Sequence, residues 1–245
     1  MILAVDTSIG SGAAVVAPDG EILSEAESEN ALGHAEVIGT LLERALADAG
    51  VGPDRITHVA AGMGPGPFTG LRIGIAAARA FALGRGVPVL GIASHDAVAA
   101  ELTIAFPTGG FAVATDARRR ENAISIYGDL DGWGLPRRIA GPELRPRDAD
   151  LSADPLLAPL RDRAWRSAVG ELWEDDARAS LERVGASAED LDGDRFVLAT
   201  RIPIGALGRL AAIRLRAGET RGVTEPLYLR SPDVTAPAPR KRVGS

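Results

Sequence analysis

The chain has 245 residues, 46% hydrophobic and 24% charged, enough apolar material for one large domain or two small lobes. It contains no cysteine, which excludes a disulfide framework and a thiolate metal site and fits a reducing compartment. Its net charge is −6, which argues against a protein that grips nucleic acid by itself, since such proteins show a basic surface.

The opening ILAVDTS reads as a buried strand ending at Asp6, too short and without the basic leader of a signal peptide. GAAVVA follows as a second strand, Pro18-Asp19-Gly20 as a hairpin turn, and EILSEAES as a third strand. A helix is expected over 35–49, with Gly50 at its C-terminal cap. ITHVAAGM is a strand, GPGPFTG a loop, and 71–84 a second helix closed by Gly84. PVLGIA is a strand, and Ser94 is expected to cap a third helix reaching about 105. The most apolar stretch, 71–83, is interrupted by Arg72 and Arg79, so no membrane span is expected and the location reads as cytoplasmic.

Residues 107–110 form a turn-rich lobe boundary, after which the pattern restarts. FAVATD ends in Asp116 as ILAVD ends in Asp6. Seven residues on, Ala13 and Ala123 each open a second apolar strand, and each hairpin reaches an Asp-Gly pair, Asp19-Gly20 or Asp131-Gly132. Three matches in register indicate an internal duplication. The lobes are placed at 1–106 and 107–232, with 233–245 as a flexible tail. Between about 128 and 200 the pattern is not legible; a last helix is expected over 203–217 and an extended segment at PLYLRSPDV. A strand-Asp-turn-strand hairpin opening each of two lobes resembles the actin/Hsp70-like (ASKHA) ATPases, an α/β fold of mixed sheets with flanking helices. There such hairpins face each other across a cleft and touch phosphate and Mg²⁺. The plainer alternative is that Asp6 and Asp116 only end strands and stabilise turns.

Several enzyme signatures are missing. The only lysine is Lys241, so there is no P-loop, and Gly62, Gly64, Gly66 and Gly70 do not have dinucleotide-loop spacing. No G-x-S-x-G elbow occurs. Ser94-His95-Asp96 has the residue types of a triad, but neighbours on a helix point to different sides. His34 lacks a second histidine four residues on, where Ile38 stands, so it reads as a cap or surface residue; His58 reads as a satisfied core histidine. The clusters Arg118-Arg119-Arg120 and Arg240-Lys241-Arg242 read as solvated surface. In GPGPFTG, Pro65 and Pro67 stiffen the turn, Thr69 is placed to cap the next helix, and rigid packing is favoured over anion binding.

The first two helices carry more apolar surface than one core contact needs. Val37, Ile38, Leu41, Leu42, Ala45, Leu46 and Ala49 spread over roughly half a helical wheel. The second helix has only Arg72 and Arg79 as charges among Gly74, Ala76, Ala77, Ala78 and Ala80. The excess points to a protein partner, with burial in a three-layer lobe as the alternative.

ILAVDTS, GPGPFTGLRIG after a strand, ATDAR opening the second lobe and PLYLR near the end are together similar to the bacterial TsaB family, with Pro67 where that family's loop carries serine. The resemblance implies a catalytically silent actin-like subunit in tRNA threonylcarbamoyladenosine synthesis, paired with the catalytic paralogue TsaD and the ATPase TsaE. It implies a homodimer when alone, tRNA contact only through the complex, and no membrane. No catalytic residue, no metal site and no tightly bound cofactor are expected, with ATP, ADP or Mg²⁺ only at the partner interface. Asp6, Thr7, Ser8 and Asp116 are degenerate phosphate-loop candidates. Ile38, Leu41, Leu42, Ala45, Arg72, Ile75, Ala78 and Arg79 are the expected partner interface. The competing hypothesis is an autonomous ATP-dependent transferase or kinase using Asp6 and Asp116; a peptidase lacks both ligands and triad.

Overall fold

Ile2–Asp6 (β1) is apolar up to its last residue and buried along its length, as a strand covered on both faces must be. In the computed structural model it is the centre of a five-stranded sheet. It pairs antiparallel with β2 (Ser11–Val16), which pairs with β3 (Ile22–Ser28), and parallel with β4 (His58–Gly62), which pairs with β5 (Val89–Ile92). The structure describes residues 1–28, 33–103, 110–161, 174–186 and 196–230. A second sheet has the order β8-β7-β6-β9, from β6 (Phe111–Asp116), β7 (Glu121–Leu130), β8 (Pro136–Pro146) and β9 (Phe196–Ala199).

The duplication is visible in the register. Val5 faces Ala13 and Asp6 faces Gly12 in the first hairpin; Thr115 faces Ala123 and Asp116 faces Asn122 in the second. The parallel neighbours repeat as well, Ile2 with His58 and Ala112 with Phe196. The third sequence match does not carry over. Gly20 takes positive φ in the first turn, whereas in the second Gly134 does, and the Asp131 carboxylate accepts from the Trp133 and Leu135 amides.

Alternation along the strands divides the first sheet between two layers. Leu3, Val5, Val59 and Ala61 face α1 (His34–Asp48) and α2 (Phe68–Arg85). Ile2, Ala4, Ala14 and Ala60 face the opposite way, toward α3 (Ser94–Leu102) and a helix from the far end of the chain, Ile204–Arg216. That helix follows α4 (Ala158–Arg161) and α5 (Glu174–Arg183) and is called α6. The same central core includes Phe111, Val113, Tyr127 and Val197 of the second sheet. The outer face of that sheet, with Ala112, Ile124 and Ile126, packs under Leu156.

Local expectations need three corrections. Helix α2 runs through Gly84 and stops at Gly86, whose φ of +67° supplies the left-handed cap. Neither Thr69 nor Ser94 caps a helix: the N-cap residues are Pro67 and Ala93. The segment 226–230, expected to be extended, joins no sheet: the Leu227 amide donates to the Met63 carbonyl at 2.8 Å and the Tyr228 amide turns back to the Pro226 carbonyl at 2.9 Å. Of the expected boundary, residues 107–109 lie outside the described residues, as does the expected tail with Arg240, Lys241 and Arg242.

Helix α6 approaches the first sheet closely because it presents glycine there. A Cβ on Gly208 would lie 2.5 Å from Val16 Cγ2 and 3.3 Å from Ala4 Cβ. Gly208→Ala should therefore destabilise the protein by about 1–3 kcal/mol in urea unfolding, through overpacking. Gly39→Ala, on the open face of α1 with nothing within 4 Å of the added Cβ, should stabilise it by about 0.5–1 kcal/mol. Equal effects at the two positions would contradict this packing.

Candidate functional site

Asp6 ends β1 with its carboxylate turned into the protein. Oδ1 accepts from the Ser8 amide at 2.6 Å. Oδ2 accepts from the Ser8 hydroxyl at 3.1 Å and the Ser94 hydroxyl at 2.5 Å. The Ser94 hydroxyl accepts in turn from the Gly64 amide at 3.1 Å. Gly62 lacks a side chain because one there would collide with Asp6. Burial raises the Asp6 pKa, against the hydrogen bonds from Ser94 and Ser8 that lower it. Thr7 is spent similarly: its hydroxyl donates to the Gly70 carbonyl at 2.6 Å and accepts from the Gly74 amide at 3.0 Å, fastening α2 to β1. Every polar side-chain atom of residues 6–8 thus has a partner within the chain.

Asp116 holds the equivalent strand end in a different environment. It is exposed, accepts from the Arg118 amide at 2.8 Å and pairs with Arg147 at 2.9 Å. The two aspartates line separate cavities. Asp6 borders one of about 460 Å³ with Gly10, Ser11, Glu27 and Arg201. Asp116 borders one of about 410 Å³ with Pro67, Phe68, Arg118 and Tyr228.

The successive residues Ser94, His95 and Asp96 go three ways, as their helical spacing requires, and form no triad. Ser94 reaches Asp6. His95 is fully buried between the Ser125 and Thr115 hydroxyls of the second sheet, at 2.8 and 2.9 Å. Burial, aided by the charge of Arg138, lowers its pKa to about 3. Asp96 accepts from the Tyr127 hydroxyl at 2.8 Å and pairs with Arg214 at 2.8 Å and Arg138 at 3.3 Å. Burial and the Asp96 charge raise the Tyr127 pKa well above its ordinary value. Sequence reasoning missed these roles because each partner lies far along the chain; the one local signal was a cluster of polar residues in an otherwise apolar helix.

The other histidines are not paired for a metal. His34 opens α1, its Nδ1 2.7 Å from the Ser11 hydroxyl, while Ile38 is buried in the core. His58 is half-exposed at a strand start, its Nδ1 3.1 Å from the Thr57 hydroxyl, rather than the core histidine expected. No group of three or more His, Cys, Asp or Glu suited to a metal occurs among the described residues.

The residues expected at a partner interface divide between two faces. Ile38, Leu41, Ala45, Ile75 and Ala78 are buried against their own sheet, because they lie on the stripe that faces β1 and β4. Leu42 is half-buried, and Arg72 and Arg79 are exposed. Arg72 lies over the Phe68 ring at 3.8 Å and donates to the Tyr228 hydroxyl at 3.4 Å. The outward strip of α2 consists of Ala76, Arg79, Ala80 and Leu83, the last 85% exposed.

The family model for TsaD, tRNA N6-adenosine threonylcarbamoyltransferase, matches residues 21–131. An uncharacterized protein of Mycobacterium tuberculosis is 38% identical over 159 residues, 64% of this chain and 70% of that one. The tRNA threonylcarbamoyladenosine biosynthesis protein TsaB of Haemophilus influenzae is 29% identical over 121 residues, 45% of this chain and 51% of that protein. The matches span from 40% to 70% of the mycobacterial relatives' length. The structure of YeaZ from Pseudomonas aeruginosa superposes with a TM-score of 0.64 at 24% identity, covering 93% of this chain and 99% of that one. The fold is therefore the expected two-lobe, actin-like α/β fold. Among the described residues, no helix is long and apolar enough to cross a membrane.

The buried His95 makes stability pH-dependent. Its pKa is lowered on folding, so the unfolded chain takes up the proton first as pH falls. Stability should be full above about pH 6.5 and fall by up to about 1.4 kcal/mol per pH unit toward pH 3. His95→Gln should be less stable at pH 7 but lose less between pH 6.5 and 4, as measured by chemical unfolding. Parallel pH curves for the two proteins would show that His95 is not held neutral.

Proposed function

The chain belongs to the TsaB/YeaZ family, and from that premise we propose that it is a non-catalytic partner subunit in forming threonylcarbamoyladenosine on tRNA, acting with the catalytic paralogue TsaD and the ATPase TsaE. The observation that carries the reading is the occupation of Asp6. A catalytic actin-like site needs that carboxylate turned toward a metal ion, and here both its oxygens are held by Ser8 and Ser94. Residues 6–8 do not fit a resident Mg²⁺–nucleotide, so any ATP, ADP or Mg²⁺ would be held jointly with the partner.

The partner is assigned to the outer face of α1 and α2. Ala76 and Ala80 are small and exposed, Ala77 and Phe81 are half-buried, and Leu83 stands out in solvent. Small residues let a second pair of helices approach closely, and Leu83 gives the contact an apolar anchor. In the absence of the paralogue the same face would join two copies of the chain.

The purified chain should bind the paralogue from its own organism and should not turn over ATP by itself. Ala76→Glu and Ala80→Glu should leave Tm unchanged and weaken both paralogue binding and self-association by at least about tenfold, since each places a charge in an apolar contact. Ala78→Glu, whose side chain points into the core, should instead unfold the chain. ATP turnover by the chain alone, lost in Asp6→Ala, would replace this reading with an autonomous enzyme.

A further inference from the structure

The hairpin turn of the second lobe carries an unusual backbone. Arg118, Arg119 and Arg120 all have positive φ, at 64°, 53° and 60°. Residues with a Cβ rarely enter this region, and three in succession is a strained left-handed turn. The first lobe makes the matching turn with a positive φ at Gly10. The strained turn is held from outside. The Arg118 amide binds the Asp116 carboxylate, the Arg147 amide donates to the Arg120 carbonyl at 2.7 Å, and Arg230 reaches the Arg118 carbonyl at 3.3 Å. The neighbouring carboxylates are engaged by other arginines, Asp116 by Arg147 and Glu121 by Arg230. Arg120 meets Asp148 only at 4.0 Å, with both side chains almost fully in water. A chain with an overall charge of −6 thus concentrates positive charge on a turn that glycine would form without strain.

That turn stands beside an aromatic cavity. Arg118 and Arg119 line the 410 Å³ space together with Phe68 and Tyr228, whose ring centroids are 4.7 Å apart. Burial, aided by the Arg118 charge, lowers the pKa of His34. Clustered guanidinium groups beside aromatic faces suit an unpaired nucleotide: phosphate on the cations, base against the rings.

We infer that the Arg118–Arg120 turn and the Phe68–Tyr228 cavity bind a single-stranded nucleotide of an RNA strand, giving this chain its own contact with tRNA. The inference rests on the reading that the chain works on tRNA, and it goes further by assigning direct contact to this subunit. It gives the strain a use, because arginine in place of glycine at these positions lowers stability and adds positive charge beside the cavity.

The test titrates the full chain, without paralogue, into a labelled tRNA transcript at several salt concentrations. Binding should weaken with salt. The triple variant Arg118→Gly, Arg119→Gly, Arg120→Gly should lower the slope of log affinity against log salt by about one for each phosphate no longer engaged, while its Tm stays equal or rises. Replacement of all three by lysine should keep most of the binding, and Tyr228→Ala should weaken it without changing the salt slope. Undetectable binding by the wild-type chain, or equal binding by the glycine variant, overturns the inference. So does AMP binding as tightly as the transcript, which would make a free nucleotide the ligand. Paralogue binding is scored separately, so the subunit reading and the RNA contact can fail independently.

Discussion

The structure depends on three neighbouring residues at the start of α3. Ser94 reaches back to Asp6 and closes the first lobe, His95 penetrates the second sheet, and Asp96 gathers Tyr127, Arg138 and Arg214. Each is buried and polar; Ser94 is satisfied within the first lobe, whereas His95 and Asp96 are satisfied only with both lobes in place. A buried polar group without its partner costs on the order of 1–3 kcal/mol, so His95 and Asp96 together oppose relative movement of the lobes. The Asp6 carboxylate that ends β1 is a fastening point within the first lobe.

The same constraint separates the two halves of the duplication. Asp6 and Asp116 end equivalent strands in equivalent register, yet one is enclosed and the other stands in water beside Arg147. The difference arises in the elements that follow. A serine at the head of α3 covers Asp6, whereas the second hairpin turns through three arginines. The lobes therefore share a backbone plan and differ in chemistry, one given to structure and the other presenting charge.

What was legible in the sequence was local. Strand periodicity and the spacing of Asp6, Ala13, Asp116 and Ala123 revealed the hairpins and their repetition, because pairing register follows from short-range pattern. The apolar excess of α1 and α2 was also legible, but not its direction: a helical wheel cannot tell which side meets the sheet, and Leu41, Ala45, Ile75 and Ala78 prove to be core. The Asp6 fastening was not legible, because its closing residue lies 88 positions away. The left-handed turn at Arg118–Arg120 was invisible as well, since no propensity places arginine at positive φ. The stretch from 128 to 200 resisted reading because β8 alternates only weakly and lies half-exposed along most of its length.

Helix α6 is synthesised last of the major elements, yet it lies on the first sheet, with Gly208 against Val16 and Gly12 beneath Ile204. While the ribosome is still adding the second half, the inner face of β1, β2 and β4 lacks α6 and has only α3 beside it. The N-terminal half can form its hairpin and outer helices early, but its inner apolar surface stays open until the chain is nearly complete. The first lobe is consequently completed only when α6 docks. A cut between the lobes would part α6 from the first-sheet face that it covers.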